Sequence, residues 1–297
     1  NIRDLLMGYG YESVDQIYDP NANSGMVSDA LNEGRGLVNY TGHGSSTSWS
    51  SSGFSNYHIS SLNYSGAYPV IMSVACVNGE FNASDCFAET WLQSGTPEQP
   101  VGALAFYGSS INQSWDPPMA AQDESAVLLT DDVALTTGAY FYLGSCGMMD
   151  KYGSSGVSMY QTWHIFGDPS AILRTKTPET ISAGYDENII AGSGTFQVTT
   201  ETEGLAVTLS TPDSVLTSVL TDENGDAPLS FSTSVTPDQT VYLTITGHNK
   251  VTVTDTLPVI SADQPYVFIS ESSFLEFTYD NALIERGDTV SARLTLK

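Results

Sequence analysis

The stretch Pro69-Val-Ile-Met-Ser-Val-Ala75 is apolar at nearly every position and runs directly into Cys76-Val-Asn-Gly79. A short apolar run without alternation marks a strand buried on both faces, as in a parallel sheet covered by helices. Working outward, Gly36–Tyr40 on one side and Val101–Tyr107 on the other read as further strands, and a short strand is expected over Val14–Tyr18. Helices are expected over Asn1–Met7, Ser24–Asn32 with Gly34 as its stop, Asp85–Gln93, Pro117–Leu129 and Ser155–Phe166, while Ala139–Leu143 reads as strand or helix. Strand–helix alternation of this kind predicts an α/β domain over residues 1–175, a mainly parallel sheet flanked by helices.

Beyond residue 175 the helical signals stop. Thr195–Thr199, Ala206–Ser210, Pro228–Phe231, Thr240–Thr246 and Val251–Pro258 are short runs dominated by Thr and Val, with turns such as Asp222-Glu-Asn-Gly-Asp226 between them. This pattern predicts an all-β immunoglobulin-like sandwich over 176–260. Two more strands are expected around Ile284–Asp288, so that residues 261–297 read as the start of a further β module, truncated. Both ends read as cut, which predicts a piece of a longer protein.

The chain has 297 residues, of which 34 are acidic and only 9 are Lys or Arg, a formal net charge of −25. A field of that sign repels nucleic acid and anionic membranes, and it draws cationic peptides and divalent cations. No run is long and apolar enough to span a membrane. The cysteines are Cys76, Cys86 and Cys146, an odd number, so at least one thiol is free or bonded outside the chain.

Functional groups of parallel α/β sheets collect at the carboxyl ends of strands. One strand exits into Thr41-Gly-His-Gly-Ser45 and the other into Cys76-Val-Asn-Gly79. Taken singly, a His between glycines is a turn residue and a Cys after an apolar strand is a small buried hydrophobe. Taken together at two strand exits, His43 and Cys76 suit nucleophilic catalysis. An imidazole favours the thiolate and can protonate a leaving amine.

The stretches Asn39–Ser45, Val74–Phe81, Cys86–Glu89, Ser110–Trp115, Gln122–Glu124 and Thr162–Ser170 resemble, in order and spacing, those of the gingipains, which are secreted caspase-like cysteine peptidases. The resemblance covers roughly residues 1–175, and the sandwich that follows takes the place of that family's immunoglobulin-like domain. It implies His43 as general base, Cys76 as nucleophile and an oxyanion hole from the N–H groups of Gly44 and Cys76. It implies Trp115 and Met119 as walls of the pocket for the residue before the scissile bond. The acid excess, the Trp115 ring and the Met119 side chain point to cleavage after Arg before Lys, and the alternative, since no pocket-floor carboxylate is seen, is a large hydrophobic residue. The resemblance further implies structural calcium, a secreted or bacterial cell-surface location, protein or peptide substrates, and an orienting acid in an upstream segment of the same protein. The alternatives are a processing or sorting peptidase of the same fold and an inactive surface adhesin.

Asp116 either faces that pocket or caps the helix that begins at Pro117, and Asp before Pro favours the cap. Cys86 reads as core and His164 as structural, and His58 and His248 have no cysteine or carboxylate cluster near them in sequence. Asp222, Asn224 and Asp226 read as a bare turn rather than a calcium loop. Asn39, Asn63, Asn82 and Asn112 fit the glycosylation pattern, two of them by chance beside the presumed site.

Overall fold

The computed structural model describes residues 1–63, 68–82, 85–96, 98–99, 101–237, 239–262, 269–276 and 290–296. They divide into two units, 1–180 with 248–251, and 181–247 with 252–297.

In the first unit, helices α1 (Ile2–Tyr9) and α2 (Ser24–Asn32) precede strand β1 (Leu37–Thr41). Helix α2 starts where the Asn23 side chain accepts the Met26 N–H at 3.1 Å, and Gly34, at φ +89°, turns the chain away after it. A small antiparallel sheet of β2 (Gly44–Ser45), β3 (Ser48–Trp49) and β4 (Phe54–Ser55) follows, closed by the single turn α3 (Asn56–Ile59). The main sheet continues with β5 (Val70–Val74). After it come α4 (Phe87–Gln93), β6 (Ala105–Ser109), α5 (Asp116–Thr130), α6 (Thr137–Tyr152), α7 (Ser154–Tyr160) and β7 (Trp163–Gly167).

The sheet order is β1-β5-β6-β7, with β1, β5 and β6 parallel and β7 antiparallel to β6. Strand β5 has a partner on either side and every residue is buried, which is why its sequence is continuously apolar. Two hydrophobic clusters cover the sheet. One joins Val70, Met72 and Val74 to Tyr140, Phe141 and Leu129 of the helices. The other joins Ile71 and Phe106 to Trp49, Phe54, Phe87 and Trp91. Helices α5 and α6 approach closely because residue 144 is glycine: a Cβ there would lie 2.7 Å from Ala121 O.

Several sequence expectations are corrected. Val14–Tyr18 is irregular and pairs with no strand among the described residues. The helix expected to reach Phe166 ends at Tyr160, and Trp-His-Ile-Phe becomes the edge strand β7, since aromatic and β-branched side chains suit a ladder with β6. Ala139–Leu143 lies inside helix α6. Asp85 does not open its helix; it sits at φ +40° ahead of Cys86, the N-cap residue of α4.

The second unit contains a three-stranded sheet and a five-stranded sheet. The first is built from β8 (Ala183–Tyr185), β10 (Thr195–Thr200) and β13 (Asp226–Ser230). The second has β9 (Ile189–Ile190), β11 (Ala206–Ser210), β12 (Val215–Leu220), β14 (Thr240–Thr246) and β15 (Val253–Ile260). Strands β10, β11 and β14 alternate buried and outward residues, so Phe196, Val198, Val207, Leu209, Val241, Leu243 and Ile245 share one core, as an immunoglobulin-like sandwich requires. Strands β16 (Ile269–Glu276) and β17 (Val290–Leu296) pair with each other, and Ile284–Asp288 lie outside the described residues.

Candidate active site

Strands β1 and β5 pair in parallel with Thr41 opposite Val74, and the Gly42 N–H extends the ladder by donating to Val74 O at 3.1 Å. His43 and Cys76 are each the second residue past that last pair, so the two loops leave the sheet side by side. Their contact depends on a missing side chain. A Cβ on Gly44 would lie 2.7 Å from Cys76 O and 2.8 Å from Ala75 Cβ.

The main chain of His43 is held on both sides. Its carbonyl accepts from Tyr40 Oη at 2.7 Å and Ser50 N at 2.8 Å, and its N–H donates to Ser51 Oγ at 3.3 Å. Its ring is exposed and meets Trp115 edge-to-face, with centroids 5.4 Å apart. The Ser50 bond to His43 places Gly44, opposite Trp49, at a non-hydrogen-bonded position, so the hairpin does not consume the Gly44 N–H. Among the described residues the Cys76 N–H likewise donates to no acceptor.

Cys76 is half-buried, and the residue after it, Val77, has φ +53°, a left-handed conformation that a β-branched residue rarely adopts. The surrounding bonds impose it: the Val77 N–H donates to Ile111 O at 3.1 Å and the Glu80 N–H to Val77 O at 3.2 Å. Asn78, fully buried, ties this turn to the hairpin after His43. Its Nδ2 donates to Ser45 O at 2.7 Å and Ser48 O at 3.1 Å, while its Oδ1 accepts from Ser73 Oγ at 2.8 Å. Trp49 Nε1 donates in turn to Ser73 Oγ at 2.9 Å. The start of α4 closes the assembly, with Phe87 N donating to Ser46 O and Ala88 N to Asn78 O. Behind the strand ends, Gln122 of α5 accepts from Thr41 Oγ1 and donates to Tyr40 O and Met72 O.

The sequence reading did not single out Asn78 or Gln122, nor Gln113, whose N–H donates to Cys76 Sγ at 3.4 Å. All three are polar residues in loop or helix stretches, and nothing local in the sequence separates them from turn or surface amides.

Trp115 is 45% exposed and stands as the N-cap residue of α5 without a side-chain cap bond. This corrects the cap assigned to Asp116, which is instead the first helical residue, exposed, where a carboxylate still favours the positive helix end. Met119, half-buried, lies one turn on, its N–H donating to Trp115 O at 3.1 Å. A cavity of about 400 Å³ beside β1 is lined by Leu6, Tyr11, Val38, Trp49 and Gln122 but by neither His43 nor Cys76, which lie outside it.

The other thiols differ in setting. Cys86 is fully buried, and burial pushes its thiol up to about 11. Cys146 is exposed on α6. His58 is a capping residue, its Nδ1 accepting from Ser55 N at 3.1 Å, and His164 of β7 packs edge-to-face on Phe81. Asp222 Oδ1 accepts the N–H groups of Asn224 and Asp226 at 2.9 and 2.8 Å, so that carboxylate closes its own turn. Among the described residues no three His, Cys, Asp or Glu side chains converge as metal ligands.

The profile of peptidase family C25 matches residues 6–174, and that of the family's C-terminal Ig-like domain matches residues 185–260. The chain belongs to peptidase family C25. This C25 chain is 38% identical over 278 residues to gingipain R2 of Porphyromonas gingivalis, covering 89% of itself and 38% of that protein. It is 36% identical to gingipain R1 of the same organism, over 91% of itself and 27% of the relative. The crystal structure of the Arg-specific cysteine proteinase gingipain R superposes with TM-score 0.81 at 37% identity, covering 87% of this chain and 61% of the other. A complex of Porphyromonas gingivalis RgpB pro- and mature domains gives 0.79 at 35% identity, over 87% of this chain and 62% of the other. The C25 chain thus spans well under half the length of these curated relatives and about three-fifths of the solved ones. Among its described residues no helix is long and apolar enough to cross a membrane.

Proposed function

We propose that this chain carries the nucleophile and the general base of a cysteine endopeptidase. The observation that carries the reading is the shared register of β1 and β5, which sets His43 and Cys76 two residues past the same paired rung. In the proposed reaction His43 takes the Cys76 proton, and the thiolate adds to the scissile carbonyl carbon. The oxyanion formed is met by the uncommitted N–H groups of Gly44 and Cys76. Collapse expels the amine, which takes the proton from His43 and leaves a thioester. Water, deprotonated by His43, then hydrolyses the thioester and releases the acid and the free thiol.

The proposed substrate is a protein or peptide cut after a basic residue, Arg before Lys. Its support is the exposed Trp115 ring beside His43, on which a guanidinium stacks better than an ammonium, the adaptable side chain of Met119, and the net charge of −25. A relative of known structure is Arg-specific by name. We further propose a secreted or bacterial cell-surface location, and an upstream segment of the same protein that supplies the acid orienting His43. Fluorogenic peptides varied only at the residue before the scissile bond test the reading. It predicts that Arg substrates are cut fastest and that Cys76→Ala abolishes turnover; cleavage surviving in Cys76→Ala would sink it.

A further inference from the structure

Gln113 lies in the loop between β6 and α5, and its main-chain N–H and both polar atoms of its side chain are engaged. Its main-chain N–H donates to Cys76 Sγ at 3.4 Å, its Nε2 donates to Ala75 O at 3.2 Å, and its Oε1 accepts from Trp163 Nε1 at 2.9 Å. Trp163 is itself fixed, buried in β7 with its ring 4.7 Å from that of Tyr107. The side chain therefore spans from the exit of β5 to the edge strand and clamps residue 113 between them. Two main-chain bonds press the same loop onto the cysteine turn, Val77 N to Ile111 O at 3.1 Å and Gly79 N to Ser109 O at 2.9 Å.

An N–H aimed at sulfur interacts more strongly with a thiolate than with a thiol, because a charged acceptor makes the stronger hydrogen bond. We propose that Gln113 is a positioning residue for Cys76: its clamped main-chain N–H hydrogen-bonds the thiolate and favours it ahead of attack, and its side-chain amide fixes that donor. The inference rests on the reading of Cys76 as nucleophile. The clamp needs one donor and one acceptor on a side chain of this length. Glu cannot donate to Ala75 O, Ala offers neither group, and Asn is one methylene short. The titratable groups on the loops and elements that meet here include Tyr40, His43, Glu80, Asp85, Cys86, Tyr107, Asp116, Asp123, Glu124 and His164, and Gln113→Ala itself adds or removes no charge.

The test is the rate at which iodoacetamide alkylates Cys76 in the whole chain, read by mass spectrometry at about pH 6 and about pH 9.5, with exposed Cys146 as internal reference. Gln113→Ala is expected to slow Cys76 about fivefold or more at the lower pH and to leave it within about twofold at the higher, where thiolate is abundant in any case. Trp163→Phe keeps an aromatic, though smaller, side chain in the core and removes the bond to Oε1, so a smaller loss of the same kind, about twofold, is expected. If Gln113→Ala does not unfold cooperatively, Trp163→Phe decides alone. Equal losses at both pH values, or no change in the ratio, overturn the inference while leaving the nucleophile in place. A parent Cys76 no faster than Cys146 at the lower pH overturns both.

Discussion

The Asn78 amide donates to Ser45 O at 2.7 Å across a gap of 33 residues in sequence, and so locks the turn after the candidate nucleophile to the hairpin that follows the candidate base. The two loops have no covalent reason to keep a common geometry. Asn78, sealed from solvent with its carbonyl and amide both engaged, supplies one. A buried polar group with all partners in place is specific because any rearrangement leaves a desolvated atom unpaired.

Asn78→Ala should therefore cost stability as well as rate. It takes the buried amide donor away from two carbonyls and leaves the Ser73 hydroxyl without its acceptor, for a loss of about 2–4 kcal/mol. Urea denaturation and kcat/KM measured on the same variant check this. A midpoint unchanged from the parent protein would mean that the network contributes nothing.

Gly44→Ala tests the close approach of the loops. The new Cβ would lie 2.7 Å from Cys76 O, and the hairpin must shift to relieve it. The expected outcome is a loss of about tenfold or more in kcat with a smaller change in KM, because a displaced N–H donor costs transition-state rather than ground-state binding. Full activity in this variant would remove Gly44 from the oxyanion hole.

Brief alkylation should modify the thiols in the order Cys76, Cys146, Cys86. Cys76 has the imidazole loop beside it and an N–H on its sulfur, Cys146 is merely exposed, and Cys86 is buried with its thiol pushed up to about 11. Peptide mapping after graded exposure to iodoacetamide gives the order directly. Cys86 reacting first would contradict its burial.

Alkaline pH should destabilise the first unit. Burial raises the Cys86 thiol from 9.0 to about 11 and the Tyr11 phenol from 10.0 to about 12, and it raises Tyr107 and Tyr140 as well. Each group holds its proton more tightly folded than unfolded, so the stability it contributes is complete below its unfolded value and is lost as pH climbs toward the folded one. Denaturant midpoints should hold level up to about pH 8.5 and fall between about pH 9 and 12. Cys86→Ala should delay the onset, and an onset at the same pH in that variant would leave the tyrosines as the cause.

Asp116→Asn separates the two places from which a basic side chain could draw its charge partner. As an exposed first-turn residue, Asp116 should matter little to folding, about 0.3–1 kcal/mol. Loss of Arg cleavage with Leu and Phe cleavage unaffected would make it the specificity carboxylate, and an unchanged Arg rate would remove it from that role. The fluorogenic panel described above gives either result.

The sequence by itself determined the buried central strand, because seven nearly continuous apolar residues suit a strand covered on both faces. It also determined the change from helical to alternating periodicity beyond residue 175, and the two strand exits that bear His43, between glycines, and Cys76. These are properties of residue order and need no knowledge of neighbours. Only the tertiary structure decided that Thr41 pairs with Val74, since register is set by matching two distant faces. Trp163–Phe166, expected in a helix, becomes a strand because β6 offers it a ladder. Asp116 yields the cap position to Trp115 because the loop before α5 fixes where that helix begins. Asn78, Gln113 and Gln122 acquire their roles the same way. An amide leaves water without penalty only where protein partners replace its hydrogen bonds, and what it does depends on the carbonyls and donors that folding brings within its reach.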